Sequence, residues 1–218
     1  MERKTDYYEI PALSNSTMGN YMRQREGKPP LKASRNLVFG SGFHELVLEP
    51  ENFDLYSYTG KERFKMMKMQ EELDKKLTDR DREAIRVGKK EAEYFYSYLG
   101  FYCKKKEDFR SVDHALIGDL KTTAAENEAD FLKAALDYGY HRQAAWYLDA
   151  PEAVAAGLYR FVIYAISKGK TAQVFRFELD RDHDLYKEGV HQYRMITDLM
   201  KSDPSCKKYL LADAFAST

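Results

Sequence analysis

A carboxylate and an amine lie two positions apart in a short, mostly apolar segment. Asp119 and Lys121 belong to the run Ile117-Gly118-Asp119-Leu120-Lys121-Thr122-Thr123, which we predict to be a β-strand. Residues i and i+2 of a strand project from the same face, so the two side chains should lie side by side. Such a pair can help to hold a metal ion and to stabilise developing negative charge.

A second acid, Asp108, precedes Asp119 by eleven positions. If the segment between them is a symmetric antiparallel hairpin that turns at Asp113-His114, paired positions sum to 227 and the two acids face each other. Facing carboxylates repel unless a cation lies between them, and their Cα atoms, about 4.5–5.5 Å apart, are close enough for one divalent ion.

This arrangement suits the hydrolysis of phosphodiester bonds, because a metal can activate water while Lys121 neutralises developing charge. The alternative is that Asp108 lies in a solvated charged stretch and that Asp119 and Lys121 form an ordinary surface pair. A three-residue motif alone does not decide between the two.

Length and composition limit the class of protein. The chain has 218 residues, 44% of them hydrophobic and 32% charged, which predicts one domain, residues 1–218, with a substantial core. No apolar run approaches the roughly 18–20 residues of a membrane span. The first residues show no secretory signal, so we expect a soluble cytoplasmic protein with no membrane partner. Cys103 and Cys206 are too few and too far apart for a disulfide framework or a zinc site.

The 35 basic and 35 acidic residues give zero formal net charge, which argues against binding of nucleic acid by bulk charge. Any DNA contact must therefore come from a local cluster, and a solvated face is the alternative for each one. The candidates are Lys61 to Lys68 with Arg63 and Lys65, then Arg86, Lys89 and Lys90, and the run Lys104, Lys105 and Lys106.

Helices are predicted in the first part of the chain, where apolar residues recur at helical spacing and capping residues precede them. The middle of the chain is rich in aromatic residues and alternates as strands do, with a turn near Leu99-Gly100. The predicted helices are Thr17–Arg25, 38–50 with His44, Glu62–Lys76, 80–92, Glu126–Tyr138, His141–Gly157 and Asp184–Lys201; the predicted strands are 93–102, 101–110, 115–122, Tyr159–Ser167 and Thr171–Glu178.

This order of elements, with the acids and the lysine on neighbouring strands, resembles the core of the PD-(D/E)XK nuclease superfamily. More narrowly, the segment 37–53 around His44 is similar to a signature of the exodeoxyribonuclease VIII, or RecE-like, family. The segments Cys103–Asp108, Ile117–Thr123 and Tyr140–Tyr147 resemble three further motifs of that family, in the right order. The resemblance implies an α/β (α+β) fold, with a central mixed β-sheet flanked by helices and extra N-terminal helices.

The resemblance also implies roles for individual residues. His44, Asp108 and Asp119 would bind the metal with the backbone carbonyl of Leu120, and Lys121 would orient or polarise the attacking water. The expected ion is Mg²⁺, and the histidine nitrogen makes Mn²⁺ acceptable as well.

Three further positions are left open by the residues themselves. Gln143 and Tyr147 share a helix face and would either reach the substrate phosphate or support the wall of the site; a packing tyrosine with a surface glutamine is the alternative. Glu93 falls where the family often has an acid, and the sequence does not show whether it takes part.

The leading hypothesis is a metal-dependent exonuclease of bacterial or phage origin that resects linear double-stranded DNA, 5′ to 3′. By the resemblance, it would supply single strands to an annealing protein for recombination and would form a homo-oligomeric ring. A second hypothesis is an endonuclease, or a nuclease of single-stranded ends, on the same fold. A third is a DNA-end-binding module without catalysis.

Overall fold

The computed structural model describes residues 6–29 and 34–210. Within this range the chain forms eight α-helices and five β-strands, and two 3-10 helices span Leu55–Ser57 and Pro204–Tyr209. The elements are α1 (Asn15–Arg25), α2 (Arg35–Leu48), α3 (Gly60–Lys76), α4 (Asp79–Val87), β1 (Lys89–Tyr98), β2 (Phe101–Ser111), β3 (Leu116–Thr123), α5 (Glu128–Asp137), α6 (Tyr140–Leu148), α7 (Pro151–Ala155), β4 (Arg160–Ser167), β5 (Val174–Asp180) and α8 (Asp184–Lys201). Among the described helices, none is both long and apolar enough to cross a bilayer.

The five strands form one mixed sheet in the order β1-β2-β3-β4-β5. Strands β3 and β4 are parallel and joined by a crossover through α5, α6 and α7, whereas the other neighbours are antiparallel. The predicted fold, a mixed sheet flanked by helices, is confirmed.

Each face of the sheet carries its own hydrophobic core. On one face, Ile117 and Phe161 pack with Trp146 of α6 and with α1, α5 and α8. On the other face, Leu116 and Leu120 pack with residues of α2, α3 and α4. Alternating residues of β3 therefore belong to different cores, which fixes the strand's register and the directions of its polar side chains.

The hairpin of β2 and β3 has the register that the sequence predicted. Phe109 pairs with Gly118, Arg110 with Ile117 and Ser111 with Leu116, so paired positions sum to 227. The ladder stops there, one position before Asp108 and Asp119, and the two strands part where these acids lie.

Two predicted helices have different bounds in the structure. Helix α4 ends at Val87 instead of near residue 92, because the backbone turns extended at Gly88 and β1 begins at Lys89; Ala84 and Arg110 approach Gly88 too closely for a larger residue. The helix predicted from His141 to Gly157 is two helices, because Pro151 has no N–H to continue α6 and instead begins α7. The last helix, α8, has the predicted bounds.

Candidate metal and active site

The site lies where β2 separates from β3 and α2 crosses the opening. The backbone N–H of Leu120 donates to Asp108 Oδ2 at 2.6 Å. Here the side chain of Asp108 takes the place of a backbone acceptor in the β2–β3 ladder. His44, from α2, places its Nδ1 at 3.4 Å from the same carboxylate oxygen. Helix α2 thus brings a nitrogen donor to an acid that β2 presents through the gap.

Three side chains from three elements gather here as a possible metal site. His44 of α2, Glu91 of β1 and Asp108 of β2 each offer one donor atom, and these atoms lie within 4.8 Å of one another. Two carboxylates and one imidazole form a donor set that suits Mg²⁺ or Mn²⁺, and the nitrogen favours Mn²⁺. We call these residues the ligand trio, and their placement fits a divalent ion.

Glu91 enters the trio through an unusual backbone conformation. Its φ of 48° is left-handed, a region that residues other than glycine seldom adopt and that costs roughly 1–3 kcal/mol. The ladder between β1 and β2 is regular on both sides, with Lys90 paired to Phe109 and Ala92 to Glu107, and it breaks only at Glu91 and Asp108. The break in the ladder coincides with the two positions that supply the acids.

Glu93 is the acid whose part in the site the family resemblance left open. It is exposed on the edge strand β1, and its backbone lies opposite that of Lys106 in the ladder. The acid of the trio is instead Glu91, which sequence reasoning missed. A signal for it existed: a turn at Leu99-Gly100 pairs positions that sum to 199, and this sum places Glu91 opposite Asp108.

Asp119 and Lys121 lie side by side on β3, as the strand periodicity predicted. Lys121 Nζ is 2.5 Å from Asp119 Oδ2, and Gln143 Nε2 of α6 donates to Asp119 Oδ1 at 2.7 Å. Both oxygens of Asp119 therefore have a cationic or donor neighbour, and this residue is not a member of the trio. Gln143 is neither at the surface nor free, since it fixes the orientation of the carboxylate.

Electrostatics distinguish the two neighbouring acids. Burial and the charge of Asp119 raise the pKa of Asp108 well above its ordinary value. Burial alone would lower the pKa of Lys121, but Asp119 and Asp108 outweigh it and raise that pKa. Burial, followed by the charge of Lys121, lowers the pKa of His44. These pKa shifts favour a protonated Lys121 and a neutral His44, the form that can bind a metal, whereas for Asp108 burial and Asp119 outweigh the opposing charge of Lys121.

Tyr147 supports the site without entering it. It is buried, and its hydroxyl donates to the backbone carbonyl of Lys106 at 2.9 Å, two residues before Asp108. This bond ties α6 to β2 and helps to set the position of Asp108. The carbonyl of Leu120 remains a predicted ligand; the backbone of this residue also makes a hydrogen bond with His44.

Two of the lysines predicted to contact DNA do not fit that role, which is a correction to the sequence analysis. Lys104 is 6% exposed and donates to the carbonyls of Tyr7 and Ile10. Lys105 is fully buried, because its ammonium is neutralised inside the protein by Glu107 and Glu152, both at 2.8 Å.

The other predicted DNA contacts have different surroundings. Lys106 pairs with Glu91 at 2.7 Å and so stabilises the acid of the trio. Arg86 is exposed but pairs with Glu83, and Lys89 is exposed near the ring of Tyr94. These three stay predictions as DNA contacts. Cys103 and Cys206 are buried free thiols.

The fold and the site together are those of a PD-(D/E)XK nuclease core: a mixed sheet in which three adjacent strands present the acids and the lysine beside a flanking helix. A family model described as "PDDEXK-like domain of unknown function (DUF3799)" matches residues 14–202. The chain belongs to this family.

The chain is similar to solved structures. The "Putative exonuclease" of Eubacterium rectale is 15% identical in sequence to this chain, and its crystal structure superposes with a TM-score of 0.66. The match covers 95% of this chain and 93% of that one. A phage related exonuclease of Haemophilus somnus 129PT is 13% identical with a TM-score of 0.46, over 93% of this chain and 89% of that one. No curated protein sequence matches the chain. At 15% identity, the likeness to the E. rectale structure supports the fold of this chain.

Proposed function

We propose that this protein is a divalent-metal-dependent exonuclease that hydrolyses the phosphodiester bonds of linear double-stranded DNA, 5′ to 3′. One observation carries the proposal: the ligand trio lies beside the Asp119–Lys121 pair, whose buried Asp119 is held in place by Gln143 of α6. A structural ion pair would need neither a separate set of metal donors nor a strained backbone at Glu91.

A bound divalent cation supplies Lewis-acid activation of water and neutralises phosphate charge. His44, Glu91 and Asp108 are the residues that would hold it. Lys121 keeps its proton beside Asp119, and from there it can orient the attacking water and stabilise charge that develops on the phosphate. Asp119 holds the lysine ammonium, and Gln143 holds Asp119, so the cation is fixed before the substrate arrives.

The family likeness supports the finer parts of the proposal. Resemblance to RecE-like exonucleases motivates a role in recombination, with an annealing protein as recipient of the single strand and a ring-shaped homo-oligomer as the active form. The names of the E. rectale and H. somnus proteins point to exonucleolytic action in proteins of this fold.

The test is a cleavage assay with Mg²⁺ or Mn²⁺ on three substrates: linear duplex, covalently closed circular duplex and end-labelled single strand. We expect loss of the linear duplex from one strand end and no cutting of the circle. Asp119→Ala and Lys121→Ala should each abolish the degradation of the linear duplex. Asp113→Ala is the matched control, because Asp113 is an exposed acid at the turn of the same hairpin and should leave activity unchanged.

Cutting of the closed circle would contradict the proposal in favour of an endonuclease. Degradation of the single strand alone would favour a nuclease of single-stranded ends. Binding of DNA ends with no cleavage in either metal would favour a DNA-end-binding module.

A further inference from the structure

A basic groove with an exposed aromatic ring lies outside the site described above. Phe64, Lys65, Lys68 and Met69 of α3 line one side, and Gly169 and Lys170 of the β4–β5 turn line the other, around about 190 Å³. We call this the α3 groove. Phe64 is 65% exposed, an unusual placement for a phenylalanine that packs against no core. Lys65 and Lys68 belong to the cluster that the sequence singled out as a candidate for DNA contact.

The groove gathers positive charge that the protein does not neutralise. Within residues 6–29 and 34–210, neither Lys65 nor Lys170 has a carboxylate at ion-pair distance, whereas Lys68 pairs with Glu71 at 2.7 Å. Half-buried Lys168 donates to the side chain of Asn36 at 3.3 Å. Burial lowers the pKa of Lys168 and the nearby charge of Lys65 lowers it further. Like charges held together without an acid indicate that the missing partner is an anion.

The groove lies at the same end of the sheet as the candidate active site. The backbone N–H of Lys168 donates to the carbonyl of Thr123 at 2.8 Å, and Thr123 follows Lys121 by two residues in β3, or about 7 Å. On the helix side, Asn36 precedes His44 by eight residues of α2, or about 12 Å. A strand of nucleic acid at the site needs only a few nucleotides to reach the groove, and single-strand sites commonly cover about 4–16 nucleotides.

We propose that the α3 groove binds a single strand of nucleic acid, with Phe64 stacked on a base and Lys65 and Lys170 against phosphates. An aromatic ring on a basic track suits a single strand, because bases in a duplex have no free face to stack on. This inference rests on the proposed function in one respect: the bound strand is the one that continues from the cleavage site.

The test measures binding of a labelled 20-nucleotide single strand and of the matching duplex by fluorescence anisotropy, with a chelator present so that no cleavage occurs. Phe64→Ala should weaken single-strand binding by about fivefold or more and leave duplex binding within about twofold. Lys65→Glu with Lys170→Glu should weaken single-strand binding and reduce the slope of log K against log salt by about 1.4, since each phosphate contact contributes about 0.7.

Two control variants separate the groove from general effects of charge and exposure. Met67→Ala removes another exposed apolar side chain of α3, 56% exposed, and should bind as the wild type does. Lys76→Glu with Lys207→Glu makes the same change in net charge at exposed positions away from the groove and should reduce the salt slope by less than half as much.

Unchanged single-strand binding in both groove variants would overturn the inference and make an acidic protein segment the occupant to test. Equal losses in the groove and control variants would overturn it too. The binding assay is independent of the cleavage assay. If the protein cleaves DNA but the groove variants bind a single strand as the wild type does, only this inference is contradicted. If the groove binds a single strand specifically but the protein cleaves no DNA, only the proposed function is contradicted.

Discussion

At the scale of single residues, the two acids predicted to bind the metal have different neighbours in the structure. Asp108 lies in the ligand trio, next to His44 and opposite a break in the strand ladder. Asp119 lies across the hairpin from Asp108. Its carboxylate oxygens contact Lys121 and Gln143. Asp108 is grouped with other metal donors, Asp119 holds the lysine ammonium, and metal binding by Asp119 stays a prediction.

Asp108 gives a prediction for stability against pH. Its pKa is raised in the folded protein from an ordinary value of 3.8, so the folded state holds this proton more tightly than the unfolded state. The metal-free protein should therefore lose free energy of unfolding as pH rises above about 4. Asp108→Asn removes the buried charge and should stabilise the metal-free protein at pH 7.5 by roughly 1 kcal/mol or more.

Urea unfolding in chelator at pH 5 and at pH 7.5 measures this effect. With saturating Mn²⁺ the order should reverse, because only the wild type keeps the carboxylate ligand. An identical dependence on pH in the two proteins, or a variant that is less stable without metal, would contradict the account of Asp108.

Gln143 gives a second prediction, since its side chain donates a hydrogen bond to Asp119. Gln143→Ala should lower kcat by about 10–100-fold, because the Asp119–Lys121 pair loses its support. Gln143→Glu should lower it at least as far by placing a negative charge next to Asp119. Circular dichroism should show a retained fold, and Gln24→Ala, at an exposed position of α1, should keep full activity. Full activity in Gln143→Ala would return this residue to a packing role.

At the scale of elements, the predicted register of the β2–β3 hairpin correctly identified part of the site. The β2–β3 register was predictable because a short symmetric turn fixes every pair that follows it, and this gave Asp108 and Asp119 as neighbours. The same reasoning about the predicted turn at Leu99-Gly100 would have found Glu91. The prediction of a helix to residue 92 excludes this pairing, because it places Glu91 in a helix and not in β1.

Other features depend on contacts between elements that are distant in sequence, and no local pattern encodes them. The burial of Lys105 depends on Glu152 of α7, and the bond between Gln143 and Asp119 depends on the packing of α6 against β3. Charge runs on a strand look alike whether they are solvated or buried, so Lys104 and Lys105 were placed at a DNA surface that they do not reach.

The backbone of β1 gives a third prediction. Glu91→Gly can adopt the left-handed conformation without strain, so the free energy of unfolding should stay within about 1 kcal/mol of the wild type. Glu91→Val should destabilise the protein by roughly 1–3 kcal/mol, because a β-branched residue fits that region poorly. Both variants lack the carboxylate and should lose metal-dependent activity alike.

Thermal or urea unfolding distinguishes the two variants. Ala115→Gly is the control, since Ala115 has a φ of 51° at the β2–β3 turn and the change should leave activity intact. Equal stability of the Gly and Val variants would show that the left-handed backbone at Glu91 is not retained for the sake of the site.

At the scale of the whole molecule, the trio joins α2, β1 and β2, so metal binding should stabilise the complete fold. A hundredfold excess of metal over its Kd adds about 2.7 kcal/mol to the free energy of unfolding. His44→Ala should reduce this gain more for Mn²⁺ than for Mg²⁺, because the nitrogen ligand favours Mn²⁺. Unfolding curves with each metal measure it, and equal reductions would argue against direct coordination by the imidazole.

Homo-oligomerisation remains a prediction from the family resemblance, and analytical ultracentrifugation with and without DNA tests it. The α3 groove and the trio lie at one end of the sheet, so both would have to face the DNA in any ring of subunits.

The most direct measurement of the central claim compares two acids of β1 that are two residues apart. Glu91→Gln and Glu93→Gln carry the same change on the same strand, but only Glu91 lies in the ligand trio, while Glu93 is exposed. On end-labelled linear duplex with Mn²⁺, Glu91→Gln should lower the initial rate about 100-fold or more, and Glu93→Gln should stay within about twofold of the wild type. A normal rate for Glu91→Gln, or a comparable loss for Glu93→Gln, would contradict the site described here.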